Sequence, residues 1–186
     1  MRFVKFDWPL TGHGAELFSM KPRTKDNYLK QVYDFIKDIL VVCPSCSGKA
    51  IVKASELPFK NLNEPDVKLI CTGCGHSKRL EEKLDAVLFS DSTKTIPGRY
   101  MIIGGAVDPY FHLPLWLTIN CCDNTLWAYN LEHLEFLKQH VAAGLRERNT
   151  QVKANQSLGS RLPKWMTASK NRDAVVKAID LLKKKG

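Results

Sequence analysis

The chain has 186 residues, 44% of them hydrophobic and 25% charged, with a formal net charge of +9. That balance is an ordinary soluble globular protein's, and the length suffices to bury a real core. No stretch approaches the roughly 20 apolar residues of a membrane span, and the N-terminus has no continuous apolar run to serve as a secretory signal. A cytoplasmic protein without a membrane partner is therefore expected, in a compartment that keeps thiols reduced.

Taken in order, residues 2–6 read as a short strand or packed arm, and 9–25 as irregular around Pro9, Gly12, Gly14 and Pro22, with His13 on the surface. Asp26 is placed to cap a helix over 26–40. Leu29, Val32, Ile36, Ile39 and Leu40 return there at helical spacing, and Tyr28, Tyr33 and Phe35 widen the apolar face. Strands are expected over 49–53, 67–70 and 78–84, with a loop over 54–66 that holds Pro58 and Pro65. Residues 99–107 read as a buried strand ending in a turn at Gly104-Gly105. Two β-rich runs, 115–119 and 125–129, flank Cys121-Cys122-Asp123-Asn124 and predict a hairpin. Asn130 then caps a helix over 131–148, with Leu131, Leu134, Leu137, Val141 and Leu145 on one face. After a polar linker, a last helix over 171–184 carries Val175, Ala178, Ile179 and Leu182 on its apolar side. The fold class is α+β, with three main helices and short antiparallel strands. Its expected organisation is an N-terminal arm and helix (1–41), a small cysteine module (42–95) and a hairpin-plus-helices unit with a basic tail (96–186).

The cysteine module carries the sharpest chemical signal. Cys43-Pro44-Ser45-Cys46 and Cys71-Thr72-Gly73-Cys74 are two Cys-x-x-Cys pairs separated by 24 residues. Two residues between cysteines let one tight turn aim both sulfurs at a single ion, and two such turns complete a tetrahedron of thiolates. Cys43, Cys46, Cys71 and Cys74 are thus the expected ligands of one structural zinc. Gly48 and Gly75 follow the two pairs and suit the left-handed backbone such turns use. His76 is read as standing behind or beside the ligand set. The alternative is two disulfides or four unrelated thiols, which a reducing compartment disfavours.

With those residues in view, Cys43-Pro44-x-Cys46 and Cys71-x-x-Cys74-Gly75-His76 resemble a zinc ribbon of the transcription-factor type. The resemblance spans about the middle quarter of the chain. Pro114-Leu115-Trp116 and 126–130 also look like bacterial zinc-ribbon proteins of no assigned activity. It implies a ribbon fold and a metal. Ribbons serve nucleic-acid binding, protein docking and structural stapling alike, so it implies no single function.

The charge is more directive. Residues 145–186 hold 11 Lys and Arg against 3 acidic residues, a net of +8 out of +9. Such asymmetry points to a polyanionic partner, with nucleic acid the commonest, or else to a solvated basic helix. Within it Arg161, Lys164, Lys170 and Arg172 could track phosphates, Trp165 could stack on a base or pack in the core, and the start of the last helix offers N–H groups to an anion. Lys78 and Arg79, beside the second cysteine pair, are further candidates. The rival class is a protein-interaction module, an adaptor or inhibitor, that uses the edge of the cysteine module or the aromatics Tyr110, Phe111, Trp116 and Trp127 as its contact and the tail to meet an acidic protein. Catalysis is the weakest class. There is no phosphate-binding loop and no His-Glu-x-x-His motif. Cys121 or Cys122 with His112, His133 or His140 lacks a setting that favours a thiolate, and adjacent cysteines on a strand point to opposite sides.

Overall fold

A computed structural model describes residues 23–24, 30–54, 67–81, 86–98, 101–143, 145–146 and 157–186. The arm at 2–6, His13, Asp26 and nearly all of the 54–66 loop lie outside them. In chain order the strands are β1 (Arg23–Thr24), β2 (Ile39–Val42), β3 (Lys49–Lys53), β4 (Lys68–Ile70), β5 (Ser77–Arg79), β6 (Ala86–Ser90), β7 (Thr95–Gly98), β8 (Leu117–Cys121) and β9 (Asn124–Ala128). Helix α1 (Leu131–Ala142), strand β10 (Leu145–Arg146) and helices α2 (Leu158–Arg161), α3 (Lys164–Thr167) and α4 (Arg172–Lys185) complete the described part. The class is α+β. Its centre is an antiparallel sheet in the order β2-β3-β4-β5, beside the separate hairpins β6-β7 and β8-β9. Strand β1, in a segment expected to be irregular, pairs in parallel with β10.

The first expected helix is not what residues 30–42 form. Val32–Phe35 make a single 3-10 turn, which Gln31 and Asp34 close with a capping box. Asp38 then takes a left-handed φ of 46° and the chain enters β2. Two forces decide this. The run Ile39-Leu40-Val41-Val42 is rich in β-branched residues, which suit a pleated surface. The Asn130 side-chain amide also donates to the carbonyls of Phe35 (3.0 Å) and Lys37 (2.8 Å), which a helix would have used internally. Apolar spacing alone read helix; the partners of the strand lie far along the chain.

Both edges of β2 are occupied. One pairs with β3 from Ile39↔Val52 to Val42↔Lys49. The other meets the 114–116 segment and the end of β9: Leu40 N–H donates to Tyr129 O (2.8 Å), Trp116 N–H to Leu40 O (2.9 Å) and Val42 N–H to Pro114 O (2.9 Å). The cysteine-bearing sheet is thereby stitched to the hairpin unit through backbone bonds.

Residues 101–106, expected as a buried strand, are irregular, with one bridge between Val107 and Pro114. Asp108 organises the turn that follows, over residues 108–113. Its fully buried carboxylate accepts from the N–H groups of Tyr110 (2.9 Å), Phe111 (2.8 Å) and Leu113 (2.7 Å). Burial pushes that carboxyl above its ordinary range, against the pull of the three donors. The β8-β9 hairpin forms as expected, from Leu117↔Ala128 to Cys121↔Asn124, around a Cys122-Asp123 turn with φ of 53° and 58°. Positive φ at both positions gives the twist that two-residue hairpins prefer.

Asn130 caps α1, its side-chain oxygen accepting from His133 N–H at 2.9 Å. Helix α1 ends at Ala142, earlier than the expected 148, because Ala143 is extended and residues 145–146 enter β10. Helix α4 lies against α1 and β8, burying Val175, Ala178, Ile179 and Leu182 on the face that periodicity predicts. One apolar cluster runs from Phe35, Val41, Cys43 and Cys71 through Leu117, Tyr129 and Leu134 to Ile179 and Leu182. No described helix is long and apolar enough to cross a membrane.

Candidate metal centre and cationic surface

The two cysteine turns are built alike, residue for residue. In the first, Ser47 N–H donates to Cys43 O (2.9 Å) and Cys43 N–H to Gly48 O (2.8 Å). In the second, Gly75 N–H donates to Cys71 O (3.0 Å) and Cys71 N–H to His76 O (2.8 Å). The fifth position of each turn is left-handed, Ser47 at φ 57° and Gly75 at φ 74°. Gly75 therefore does what the sequence suggests, whereas in the first turn serine takes that conformation. Gly48 serves differently: a Cβ there would stand 3.3 Å from the Cys46 sulfur and crowd it.

The four sulfurs lie within 4.8 Å of one another. Cys43 Sγ is 3.7 Å from Cys74 Sγ, and Cys46 Sγ is 3.7 Å from Cys71 Sγ. A metal–sulfur distance of about 2.3 Å sets the edge of a regular tetrahedron at about 3.8 Å. The two measured edges, each joining one turn to the other, have that length. Cys43 and Cys71 are buried, Cys46 and Cys74 exposed. The chemistry of this donor set is a closed, all-thiolate cage that could hold one structural metal ion.

Electrostatics around the cage favour a cation. Amide N–H groups of Cys74 and Gly73 point at the Cys71 sulfur and bring that thiol down to about 7, against its desolvation. Ser45 N–H lies 3.4 Å from the Cys43 sulfur. At Cys46 the Gly48 N–H also favours the thiolate, but the neighbouring sulfurs of Cys74, Cys71 and Cys43 prevail and push it up to about 12. Four sulfur groups held this close cannot all ionise unless a positive ion sits among them. His76 is half-buried and contributes its backbone carbonyl to the second turn. Among the described residues Cys43, Cys46, Cys71 and Cys74 form the one group of three or more metal-capable side chains.

The expected cations divide into two sets. Arg161 closes α2, Lys164 opens α3 and Lys170 lies in the 3-10 turn Ser169–Asn171; all three are exposed, with no ion pair to a described residue. Arg172 begins α4, half-buried. Trp165 is half-buried and packed on the core, its carbonyl accepting from Asn171 Nδ2 at 2.9 Å. The start of α4 is less open to an anion than expected. The preceding 3-10 turn uses the N–H groups of Asn171 and Arg172, and Asp173 sits in the first helical turn. Lys78 and Arg79 lie on β5, at the opposite side of the sheet from the 114–116 segment. Lys78 faces Glu81 at 3.9 Å, both exposed.

Two of the three distal lysines, Lys183 and Lys185, are engaged, which sequence reasoning missed; Lys184 is exposed. Lys183 pairs with Glu135 and holds that carboxyl low. Lys185 Nζ lies 4.3 Å over the Trp116 ring and donates to Trp116 O at 2.7 Å, while Trp116 Nε1 donates back to Lys185 O at 3.2 Å. Lys49, next to the first cysteine turn, donates to the backbone oxygen of Gly186. Lys138 pairs with Asp180 at 2.6 Å.

Of the aromatics expected as a protein-docking surface, one is buried and three are half-buried. Tyr110 is buried, Phe111, Trp116 and Trp127 are packed on the core, and Trp127 meets His133 edge-on at 5.7 Å. His133 stacks on Phe35 at 4.8 Å, and its Nδ1 accepts from Tyr129 N–H at 3.3 Å. Desolvation lowers its pKa to about 4, so it is a neutral packing residue. Cys121 is buried, and burial with its neighbour's thiol pushes it up to about 11, a poor setting for a nucleophile. One expectation fails here. The sulfurs of Cys121 and Cys122 lie 3.6 Å apart, because Cys122 leaves the strand into the left-handed turn and swings to its neighbour's side.

Comparison with protein-family models, with curated proteins and with solved structures finds no match for this chain.

Proposed function

We propose that this chain is a non-catalytic nucleic-acid-binding protein of zinc-ribbon type, in which Cys43, Cys46, Cys71 and Cys74 hold one structural zinc. The observation that supports the binding role is the group Arg161, Lys164 and Lys170. They stand exposed on three successive short helical segments with no acidic partner among the described residues. Exposed cations left without carboxylates suit a partner that brings regularly spaced phosphates. A closed tetrahedral set of four thiolates, which leaves no position for water, suits a structural zinc. The metal's role is then mechanical. It locks β2 to β4 by their cysteine turns, and through β2 and Lys49 it fixes the unit that carries the cations.

The test is a salt-series titration of zinc-loaded protein against duplex DNA, single-stranded DNA and structured RNA. With Arg161, Lys164, Lys170 and Arg172 each meeting a duplex phosphate, log affinity falls with log salt at a slope of about −3.5. In an Arg161→Ala/Lys164→Ala/Lys170→Ala variant most of that slope and of the affinity is lost. Salt-insensitive binding, or no binding at low salt, removes the nucleic-acid reading. Metal analysis of the same sample gives one zinc per chain; an iron–thiolate absorption band would reassign the ion. The adaptor reading keeps the half-buried Phe111, Trp116 and Trp127 and gains exposed apolar side chains, foremost Val87, 63% exposed on the β6-β7 hairpin. A nuclease-resistant partner lost on Val87→Asp would bring it forward.

A further inference from the structure

The described part of the molecule holds a second pair of neighbouring thiols that the metal cage does not use. Cys121 ends β8 and Cys122 opens the two-residue turn into β9. Their sulfurs are 3.6 Å apart, the Cys121 side chain backed by the core and the Cys122 side chain half-buried. Both line an open groove at the hairpin tip with Asn120, Asp123, Asn124 and Thr125. The turn is held from both sides: Asn124 pairs with Cys121 across the ladder, and Asn124 Nδ2 donates to Cys122 O at 2.6 Å.

That geometry selects among the things two thiols can do. A disulfide needs sulfurs about 2.05 Å apart and Cα atoms usually more than about 4.4 Å apart, whereas consecutive residues across a trans peptide keep them at about 3.8 Å. Closing the 3.6 Å gap directly would therefore distort a turn tied at both ends. Inserting one soft atom between the sulfurs requires no such closure. No third His, Cys, Asp or Glu ligand joins the pair among the described residues. A centre that fits must thus be satisfied by two thiolates and carry its remaining ligand with it.

We infer that Cys121 and Cys122 form a two-thiolate site for a thiophilic trivalent centre of that kind, of which a monosubstituted organoarsenical is the chemical type. Capture is a condensation. The two S–H bonds and the bonds from arsenic to its oxo or hydroxo oxygen break, two As–S bonds form, and the thiol protons leave with that oxygen as water. Arsenic remains trivalent throughout, so no oxidant or reductant takes part. The half-buried Cys122 thiol reacts first from the groove, and Cys121 closes the ring.

The experiment uses the full chain loaded with zinc and phenylarsine oxide as the probe. One equivalent gives a single adduct per chain by intact mass, mapped to the peptide holding Cys121 and Cys122, with the zinc retained. Cys122→Ser and Cys121→Ser each weaken uptake at least about tenfold. Cys122→Ala serves as a second variant, and unchanged circular dichroism and zinc content show that lost uptake reflects lost chemistry. An adduct that persists in these variants and releases zinc would place the reaction at the four-cysteine cage and overturn the inference. So would a parent protein that takes up no arsenical, or one whose Cys121 and Cys122 are already joined as a disulfide that reductant does not open.

Discussion

At its C-terminal end helix α4 sets Lys183 against Glu135 and lays Lys185 across Trp116, and Gly186 is met there by Lys49. At its start the neighbouring cations Arg161, Lys164 and Lys170 stand in solvent without carboxylate partners among the described residues. Both ends contribute to the +8 of the last 42 residues, yet they do different work. The distal end is an anchor: Lys183, Lys185 and the final carbonyls close the joint between α1, β8 and the cysteine-bearing sheet, as cations near a helix C-terminus tend to do. The proximal end offers its charge outward. Net charge shows how much cation a segment holds; only the fold shows how much of it is left for a partner.

The largest way to break that contrast is to remove the proposed zinc. Structural zinc in such sites contributes on the order of 10 kcal/mol or more of folding free energy. Cys43→Ser/Cys71→Ser, or a strong chelator, should therefore unfold the β2-β3-β4 joint and free the distal end of α4, seen as a loss of cooperative thermal unfolding. Next, Ile179→Ala on the buried face of α4 should cost about 2–5 kcal/mol by chemical denaturation, because the side chain is wholly enclosed. The third concerns α1, on which the anchored end rests. Burial holds His133 at about 4, below its ordinary 6.5. The unfolded chain takes up a proton between those values and the folded chain does not. This histidine's contribution is therefore complete above pH 6.5 and is lost as pH falls towards 4. Between pH 7 and 5.5 the parent should lose about 1 kcal/mol that His133→Gln does not. The smallest effect sharpens the comparison most. Lys183→Ala, at a partly exposed ion pair, should cost under about 1 kcal/mol of stability and leave the proposed nucleic-acid affinity nearly unchanged, while Lys164→Ala should lower that affinity and leave stability nearly unchanged.

What the sequence made legible was local. Each Cys-x-x-Cys turn, the Asn130 cap, the hairpin around residues 122–123 and the apolar face of α4 depend on residues within a few positions of one another. What escaped it was settled at a distance. Ile39 and Leu40 continue a helical pattern from Val32, but their strand is fixed by β3 on one side and by Trp116 and Tyr129 on the other. The lysines at 183 and 185 look like free charge until Glu135 and Trp116, 48 and 69 residues away, are folded against them. Cys121 and Cys122 should diverge on a regular strand; a left-handed φ, invisible in the residue names, brings their sulfurs together. In the first cysteine turn, the left-handed position fell to Ser47 because the hydrogen-bond pattern fixes the place in the turn and glycine is only its easiest occupant.

Hydrogen exchange of the zinc-loaded and the chelated protein, followed peptide by peptide, tests most directly the claim that the four-cysteine cage holds the anchored end of α4. The account predicts that removing the metal strips protection from residues 39–53 and, together with them, from residues 175–185. Protection of 175–185 that survives full metal removal would contradict it and leave the cage as a staple of its own two turns alone.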